Sequence, residues 1–162
     1  MNARALLAAG LLALPLCFMS CDNASTSETG GELMADPPNL AGAWVWNELV
    51  TDVSSLCADE IDNYDTNTVT IAQDGAHLTL TGLIGLPSAT LHGAIYAPQG
   101  SELARIKLSG NFSEDGGTTT AQEGSWVKVI RVDSLQGVEI WHWAGGGGSC
   151  TGSTAITAKK LD

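Results

Sequence analysis

Short runs in which apolar and polar residues alternate, cut by Gly, Asp and Asn, fill the chain from Asn39 onward. A period of two residues is that of a strand with one buried face, and no stretch shows a convincing helical period. The clearest pair of runs, 68–73 and 76–81, is joined by Asp74-Gly75, a favoured pair for a two-residue hairpin turn. The pattern therefore predicts an all-β domain of antiparallel strands.

The number and spacing of these runs indicate how the sheet is arranged. Short sequential strands with tight turns favour an up-and-down barrel, because closure removes the exposed edges of an open sheet. A two-sheet β-sandwich is the alternative, since periodicity alone does not separate the two architectures. Gly124 marks a point where one run could be bulged or split. About eight strands are predicted, near residues 41–50, 68–73, 76–81, 89–96, 102–110, 119–131, 137–144 and 153–160.

The charge balance limits the partners of this chain. Its 18 Asp and Glu residues face 7 Lys and Arg residues, for a formal net charge of −11. Nucleic acids bind through a basic face, so DNA and RNA are poor candidates, as are anionic membrane surfaces. Only 15% of the residues are charged, which argues against a charged disordered chain.

The N-terminus has the layout of a secretory signal. Arg4 precedes a short apolar run, and the small residue Ser20 stands before Cys21. The run is too short, and too broken by Gly and Pro, to favour a membrane-spanning helix. Residues 21–38 follow with no apolar period and predict a polar, disordered tether.

Residues 18–21, Phe-Met-Ser-Cys, resemble the lipobox of bacterial lipoproteins, in which the Cys receives the lipid and becomes the first mature residue. The resemblance implies a lipid, with palmitate among its acyl chains, on Cys21, and a domain held at the cell envelope. Cys17 fits less well, since Leu16 would occupy the small-residue position. Asp22 resembles the signal that keeps some enterobacterial lipoproteins in the inner membrane, but that rule differs between bacteria. The outer membrane is favoured, and the inner one stays open. Ordinary cleavage, with Cys21 left as a thiol, is the alternative.

The remaining cysteines form one pair. With Cys17 removed in the signal and Cys21 lipidated, Cys57 and Cys150 are left. An exported domain can keep disulfides, because the compartment is oxidising. We predict that Cys57 and Cys150 are bonded.

Four of the tryptophans occur in two Trp-x-Trp pairs. Trp44 and Trp46 lie on the first predicted strand, and Trp141 and Trp143 on the next to last, so each pair points to one face. Barrel closure brings the chain ends together, which predicts that the four rings gather in one region. There they would either fill the barrel or line a pocket, because eight strands enclose just enough space for one small ligand.

The first strand also carries a family resemblance. Leu-Ala-Gly-Ala-Trp at 40–44 looks like the start of the calycin barrels, the lipocalins, avidins and their relatives, in which the Trp plugs one end. Together with Cys57, Trp-x-Trp at 141–143 and Ser149-Cys150, it also resembles a set of small bacterial lipoproteins. A further resemblance is to periplasmic inhibitors of metalloproteases. In those proteins a trunk, here residues 34–39, enters the protease cleft.

No catalytic set, metal site or cofactor is predicted. The acidic run at 59–65 offers oxygen ligands but lacks the Gly and Glu positions of an EF-hand, which favours a solvated loop over calcium. His77, His92 and His142 are scattered over three strands without zinc-site spacing. No Ser lies in a Gly-x-Ser-x-Gly turn.

We therefore expect a lipid-anchored, exported envelope protein. Residues 1–20 are the signal, 21–38 the anchor and tether, and 39–162 the barrel domain. The expected role is non-enzymatic binding of a small apolar or aromatic ligand. The alternative is protein–protein interaction, such as protease inhibition. The predicted ligand contacts are Trp44, Trp46, Trp141 and Trp143.

Overall fold

The described part of the chain is an all-β domain of nine strands. The computed structural model describes residues 31–55, 57, 64–83, 89–114, 116–121 and 126–162. The strands are β1 Gly42–Val53, β2 Tyr64–Asp74, β3 His77–Thr81, β4 Thr90–Tyr96, β5 Ala104–Glu114, β6 Gly117–Ala121, β7 Trp126–Arg131, β8 Ser134–Gly145 and β9 Gly148–Lys160.

Part of what the sequence predicts falls elsewhere in the chain. The signal at 1–20, the lipid attachment residue Cys21 and most of the acidic run at 59–65 lie outside the described residues, so they stay predictions. Within the described ranges, no helix has the length and apolar character needed to cross a membrane.

The sheet closes on itself, with every strand antiparallel to its neighbours. β1 to β5 follow one another round the barrel, and β8 and β9 return to β1. Two strands share the position between β5 and β8: β7 pairs with the beginnings of both, and β6 pairs with their ends. Nine strands thus fill eight positions. The predicted barrel is confirmed, with the run at 119–131 split in two, and the β-sandwich alternative is wrong because β4 pairs with β5.

The β2–β3 hairpin is confirmed, but its turn lies one residue later than predicted. Asp74 pairs with His77, so the turn residues are Gly75 and Ala76. Gly75 has a φ of 56°, which Gly adopts without the steric penalty of a Cβ. The Gln73 amide nitrogen donates a hydrogen bond to the Gly75 carbonyl oxygen at 2.9 Å, which stabilises the turn in this register.

The predicted apolar face lines the barrel interior. Val69 and Ile71 on β2, with Leu78 and Leu80 on β3, are each at most 3% exposed. Their neighbours on the other strands complete one continuous core. It also includes Leu91, Ile95, Ile106, Val127, Val129, Leu135 and Ile156.

The two ends of the barrel differ, and we name them by β1: the closed end is where β1 begins, and the open end is where it finishes. At the closed end the Trp44 indole N–H donates to the Leu40 carbonyl oxygen at 2.9 Å. Both residues are fully buried. They fill the base of the barrel, as the resemblance to calycin barrels implies.

The segment before β1 lies against the closed end. Leu33 forms a bridge with Tyr96, and the Met34 backbone N–H donates to the Ile95 carbonyl oxygen at 3.0 Å. At the other end of the segment, the Pro38 carbonyl oxygen accepts a hydrogen bond from the Gln73 amide at 3.1 Å. The trunk at 34–39 is therefore bonded to the barrel near both of its ends.

Gln73 is the side chain that joins this segment to the hairpin. Its oxygen accepts the Leu40 backbone N–H at 2.7 Å, and its nitrogen donates to the carbonyl oxygens of Pro38 and Gly75. One amide thus satisfies three backbone groups at the base of the barrel.

The connection between β4 and β5, also at the closed end, is braced by Glu102. The backbone N–H groups of Gln99 and Gly100 donate to its Oε1 at 2.9 and 3.1 Å. These hydrogen bonds, that from Gln99 above all, hold the pKa of the Glu102 carboxyl below its usual value.

The predicted disulfide is confirmed. Cys57 and Cys150 are bonded at 2.11 Å, with Cα atoms 6.2 Å apart and a sequence separation of 93. The bond ties the connection after β1 to β9 at the open end. It therefore holds that connection against β9, the strand that is also hydrogen-bonded to β1.

We expect loss of this disulfide to lower the free energy of unfolding by about 2–5 kcal/mol, because the unfolded chain regains the freedom that the bond removes. The measurement is urea unfolding of the oxidised and the reduced protein. A Cys57→Ala/Cys150→Ala variant is the control, since reductant has no bond to break in it. Identical midpoints for oxidised and reduced wild type would contradict the expectation.

We expect Gln73→Leu to lower the free energy of unfolding by about 1–3 kcal/mol, because the buried Leu40 N–H loses its acceptor. Gln136→Leu is the matched control, since Gln136 is exposed on β8. Urea unfolding of the two variants gives the comparison. Equal losses would show that the Gln73 contacts do not stabilise the closed end.

Candidate functional site

The inner wall of the barrel becomes polar and aromatic toward the open end. Residues opposite each other in an antiparallel pair point to the same face. On β8 and β9, Trp143 lies opposite Cys150 and Glu139 lies opposite Thr154. Cys150 is 4% exposed and Thr154 6%, so this face of both strands is the inner one. By this register a set of side chains faces inward at the open end. We call it the mouth: Glu48, Asn67, Thr119, Glu139, Trp141, Trp143 and Thr154.

The first tryptophan pair does not reach the mouth. Trp44 is 0% and Trp46 2% exposed, so both belong to the core. The prediction that the four rings gather in one region is wrong. β1 and β8 both flank β9 and so run in the same direction, but the first pair lies near the start of β1 and the second near the end of β8.

Trp141 is positioned by a glycine and a threonine of β9. A Cβ on Gly152 would lie 2.2 Å from Cζ2 of the indole, so the ring occupies the space of a missing side chain. The indole N–H donates to Thr154 Oγ1 at 3.1 Å. Trp141 is held in place while remaining half-buried.

Trp143 lies against two further glycines. A Cβ on Gly117 or on Gly145 would lie 2.5 Å from an atom of its ring. These glycines are opposite each other on β6 and β8. Trp143 is also half-buried, so it and Trp141 form an aromatic wall on the inner face of the mouth.

Glu48 lies at the base of the mouth with a fixed carboxylate. The Trp46 indole N–H donates to its Oε1 at 3.0 Å, and the Asn67 amide donates to its Oε2 at 3.2 Å. Asn67 is only 3% exposed. The two donors hold the Glu48 side chain inside the barrel, at the level where the apolar core ends.

A second carboxylate, that of Glu139, lines a small cavity at the same level. The cavity has a volume of about 10 Å³, which holds about one water molecule. This cavity is too small for a molecule larger than water. We call Glu48 and Glu139 the carboxylate floor. The other lining residues are Trp46, Leu91, Leu108, Val127 and Ile156.

The basic residues of the described ranges are confined to one half of the barrel, whereas acidic residues occur at both of its ends. In the described part of the chain, Asp52 and Asp65 lie on β1 and β2 near the open end, above the carboxylate floor. The Lys and Arg residues of the same ranges all lie in the half toward the closed end. They are Arg105, Lys107, Lys128, Arg131, Lys159 and Lys160.

The histidines are not brought together. His77, His92 and His142 lie on β3, β4 and β8, and His92 Nδ1 is 3.3 Å from Thr79 Oγ1. Among the described residues, no group of three or more His, Cys, Asp or Glu side chains could hold a metal ion.

The residues that sequence reasoning missed are the two floor glutamates. The alternation along the strands could have found them. Glu48 is an even number of residues from Trp44 and Trp46, and Glu139 is an even number of residues from Trp141 and Trp143. Since alternate residues of a strand share a face, each glutamate should point where the tryptophans of its strand point.

The fold and this geometry define a closed antiparallel barrel with a filled base and a polar, aromatic mouth, an architecture consistent with a calycin-like barrel. Comparisons with protein-family models, curated proteins and solved structures find no match to the chain.

We expect Gly152→Ala to displace the Trp141 ring and to lower the free energy of unfolding by about 1–3 kcal/mol through overpacking. Near-ultraviolet circular dichroism reports the ring, and urea unfolding reports the stability. Gly146→Ala is the control, because a Cβ there would meet nothing within 4 Å. If Gly152→Ala behaves like Gly146→Ala, the ring is not held by this glycine.

Proposed function

We propose that this protein is a non-enzymatic binding module of a bacterial cell envelope, and that a small apolar or aromatic ligand binds at the mouth. Its lipid anchor is Cys21, exposed by removal of the signal at 1–20. The observation that carries the proposal is the aromatic wall: two half-buried indoles, Trp141 and Trp143, lie against glycines at the end of the barrel opposite Leu40 and Trp44.

The aromatic wall offers a ligand both area and geometry. Indole rings give large apolar contact and a preferred offset or edge arrangement, worth about 0.5–1.5 kcal/mol for an aromatic pair beyond its buried area. The hydrogen bond from Trp141 to Thr154 fixes one of the rings before a ligand arrives. A fixed ring loses little conformational entropy on binding.

The position of the ligand follows from the burial of the tryptophans. Trp44 and Trp46 are 0% and 2% exposed and act as core residues, so the contacts of the ligand come from the half-buried Trp141 and Trp143.

The proposed anchor agrees with this placement. The chain that joins Cys21 to the barrel enters at the closed end, where Leu33 pairs with Tyr96. A lipid at Cys21 would keep the closed end near the membrane, and the mouth would face away from it.

The alternative role is protein–protein interaction, with residues 34–39 as an inhibitory trunk. That role needs the segment to reach a partner, yet Met34 and Pro38 are hydrogen-bonded to the barrel. We therefore place ligand binding at the mouth first.

We expect the exported protein, carrying Cys21→Ser to omit the lipid, to bind the neutral aromatic probe 1-naphthalenemethanol. Trp143→Ala should weaken that binding by about fivefold, because it removes half of the aromatic wall. Calorimetric titration gives the affinities, and saturation-transfer nuclear magnetic resonance confirms contact.

Trp126→Ala is the matched control. Trp126 lies on the outside of the barrel, where its ring packs against Tyr96 at 5.5 Å and against Arg105 at 4.3 Å. Its loss should leave probe binding unchanged. Absence of binding to the wild type, or equal binding by Trp143→Ala, would count against the mouth as the site.

A further inference from the structure

We infer that the closed end docks on the surface of the membrane that carries the proposed lipid anchor. The contact is made by exposed aliphatic side chains on the rim of that end, which we call the closed-end arc: Leu33, Leu103, Ile130, Val132 and Leu161. The inference rests on the proposed function, because it needs the anchor at Cys21. It adds a direct contact, which a tether alone does not require.

The closed-end arc gathers most of the large apolar side chains that the described part of the barrel exposes. Five of eight such side chains belong to it, and each is between 43% and 56% exposed. The other three, Leu49, Tyr64 and Val138, lie away from the closed end on β1, β2 and β8. Single exposed apolar residues are normal on a protein surface, whereas a group of them marks a contact surface.

Backbone contacts place the first three members of the arc beside one another. The Leu103 backbone N–H donates to the Val129 carbonyl oxygen at 2.7 Å, next to Ile130 at the end of β7. Tyr96, on the strand that pairs with the start of β5, forms a bridge with Leu33. These members therefore follow the rim from β4 through β5 to β7.

The other two members meet at the turn from β7 to β8. Val132 and Asp133 form this turn. The Lys160 backbone N–H donates to the Asp133 carbonyl oxygen at 3.1 Å, which brings Leu161, the next residue, beside the turn. The arc thus extends over the rim as far as β9.

The chain that leads to the proposed anchor enters at this arc. A Cβ on Gly31 would lie 3.1 Å from the Arg105 guanidinium, on the strand that Leu103 precedes. Nine residues, 22–30, separate Cys21 from Gly31. A coil of this length spans about 15–20 Å. The anchor would hold the arc within one short tether of the bilayer, where the effective concentration is high enough for weak contacts to form.

The chemistry of the arc suits the boundary between lipid headgroups and acyl chains. Aliphatic side chains enter this boundary, and long cationic side chains beside them reach the headgroup phosphates. Cationic side chains are mixed with carboxylates on and beside the arc, which include Arg105, Lys128, Arg131, Lys159 and Lys160 with Glu32, Glu102, Asp133 and Asp162.

The net charge of the chain makes docking depend on the anchor. At −11, the free protein is repelled by an anionic bilayer, so capture from solution is disfavoured. Two copies of the chain repel each other for the same reason, which argues against a second copy as the occupant of the arc. A lipid on the same chain removes the need for long-range attraction.

Hydrogen–deuterium exchange of the full chain tests the inference. The lipidated protein is measured on vesicles of phosphatidylethanolamine and phosphatidylglycerol, and the Cys21→Ser protein is measured in solution. We expect exchange at 97–104, 129–135 and 160–162 to slow about tenfold on the vesicles, as for a surface that is docked about nine-tenths of the time. The turn at 145–148, at the open end, should exchange equally in both.

A substitution in the arc identifies the contact. Val132 is 56% exposed in a turn, so Val132→Asp leaves the core untouched. In the lipidated chain it should restore fast exchange at the arc, because a carboxylate resists transfer out of water. Val138→Asp is the matched control: Val138 is 46% exposed on the wall of the barrel, and its substitution should leave the protection in place.

The outcomes separate this inference from the proposed function. If the lipidated chain on vesicles exchanges at the arc as the Cys21→Ser protein does, the barrel stands off on its tether: the anchor and the mouth stand, and the inference is overturned. Protection of the arc that grows with the concentration of the Cys21→Ser protein in solution would assign the arc to a second copy and would also overturn it. If mass spectrometry of the exported chain finds no lipid on Cys21, the proposed anchor fails and the inference fails with it.

Discussion

The indole N–H of Trp44 meets the carbonyl oxygen of Leu40 in a part of the barrel from which both residues exclude water. A buried indole needs an acceptor, and here the chain just before β1 provides it by crossing the base. The Gln73 side chain then joins this segment to the β2–β3 turn, because it is hydrogen-bonded to Leu40 and Pro38 of the segment and to Gly75 of the turn. Because this one contact fills the base with the protein's own chain, the two ends of an otherwise regular barrel become different. The polar and aromatic part of the inner face lies at the other end.

The two ends of the barrel also differ in the side chains that fill the interior. Toward the closed end, apolar side chains form one continuous core. Toward the open end, Gly117, Gly145 and Gly152 leave room for indoles, and carboxylates replace apolar residues on the inner face. The polar positions are satisfied by hydrogen bonds, since no buried side-chain nitrogen or oxygen among the described residues lacks a partner. The Cys57–Cys150 bond lies at this less apolar end, where covalent closure compensates for weaker packing.

Sequence reasoning predicted the fold where a local rule decides it. The alternation at Val69, Ile71, Leu78 and Leu80 identifies a buried face directly, and elimination of the other cysteines leaves one pair. It failed where strand order and register decide. The distance between the two tryptophan pairs depends on the directions of β1 and β8, which run the same way on either side of β9. The spacing of residues within one strand gives no information on the direction of another strand. Because alternate residues of a strand share a face, the floor glutamates are expected to point inward. That inference requires knowing that the neighbouring tryptophans face the core.

The position of those glutamates is the strongest departure from the pattern of the rest of the barrel. Local rules place apolar residues at inward positions, and a sequence departs from them most often at functional sites. A leucine at 48 or 139 would extend the core by one layer and would need no donors around it. The observed arrangement instead places Glu139 beside a cavity that holds about one water molecule and holds Glu48 with hydrogen bonds from Trp46 and Asn67.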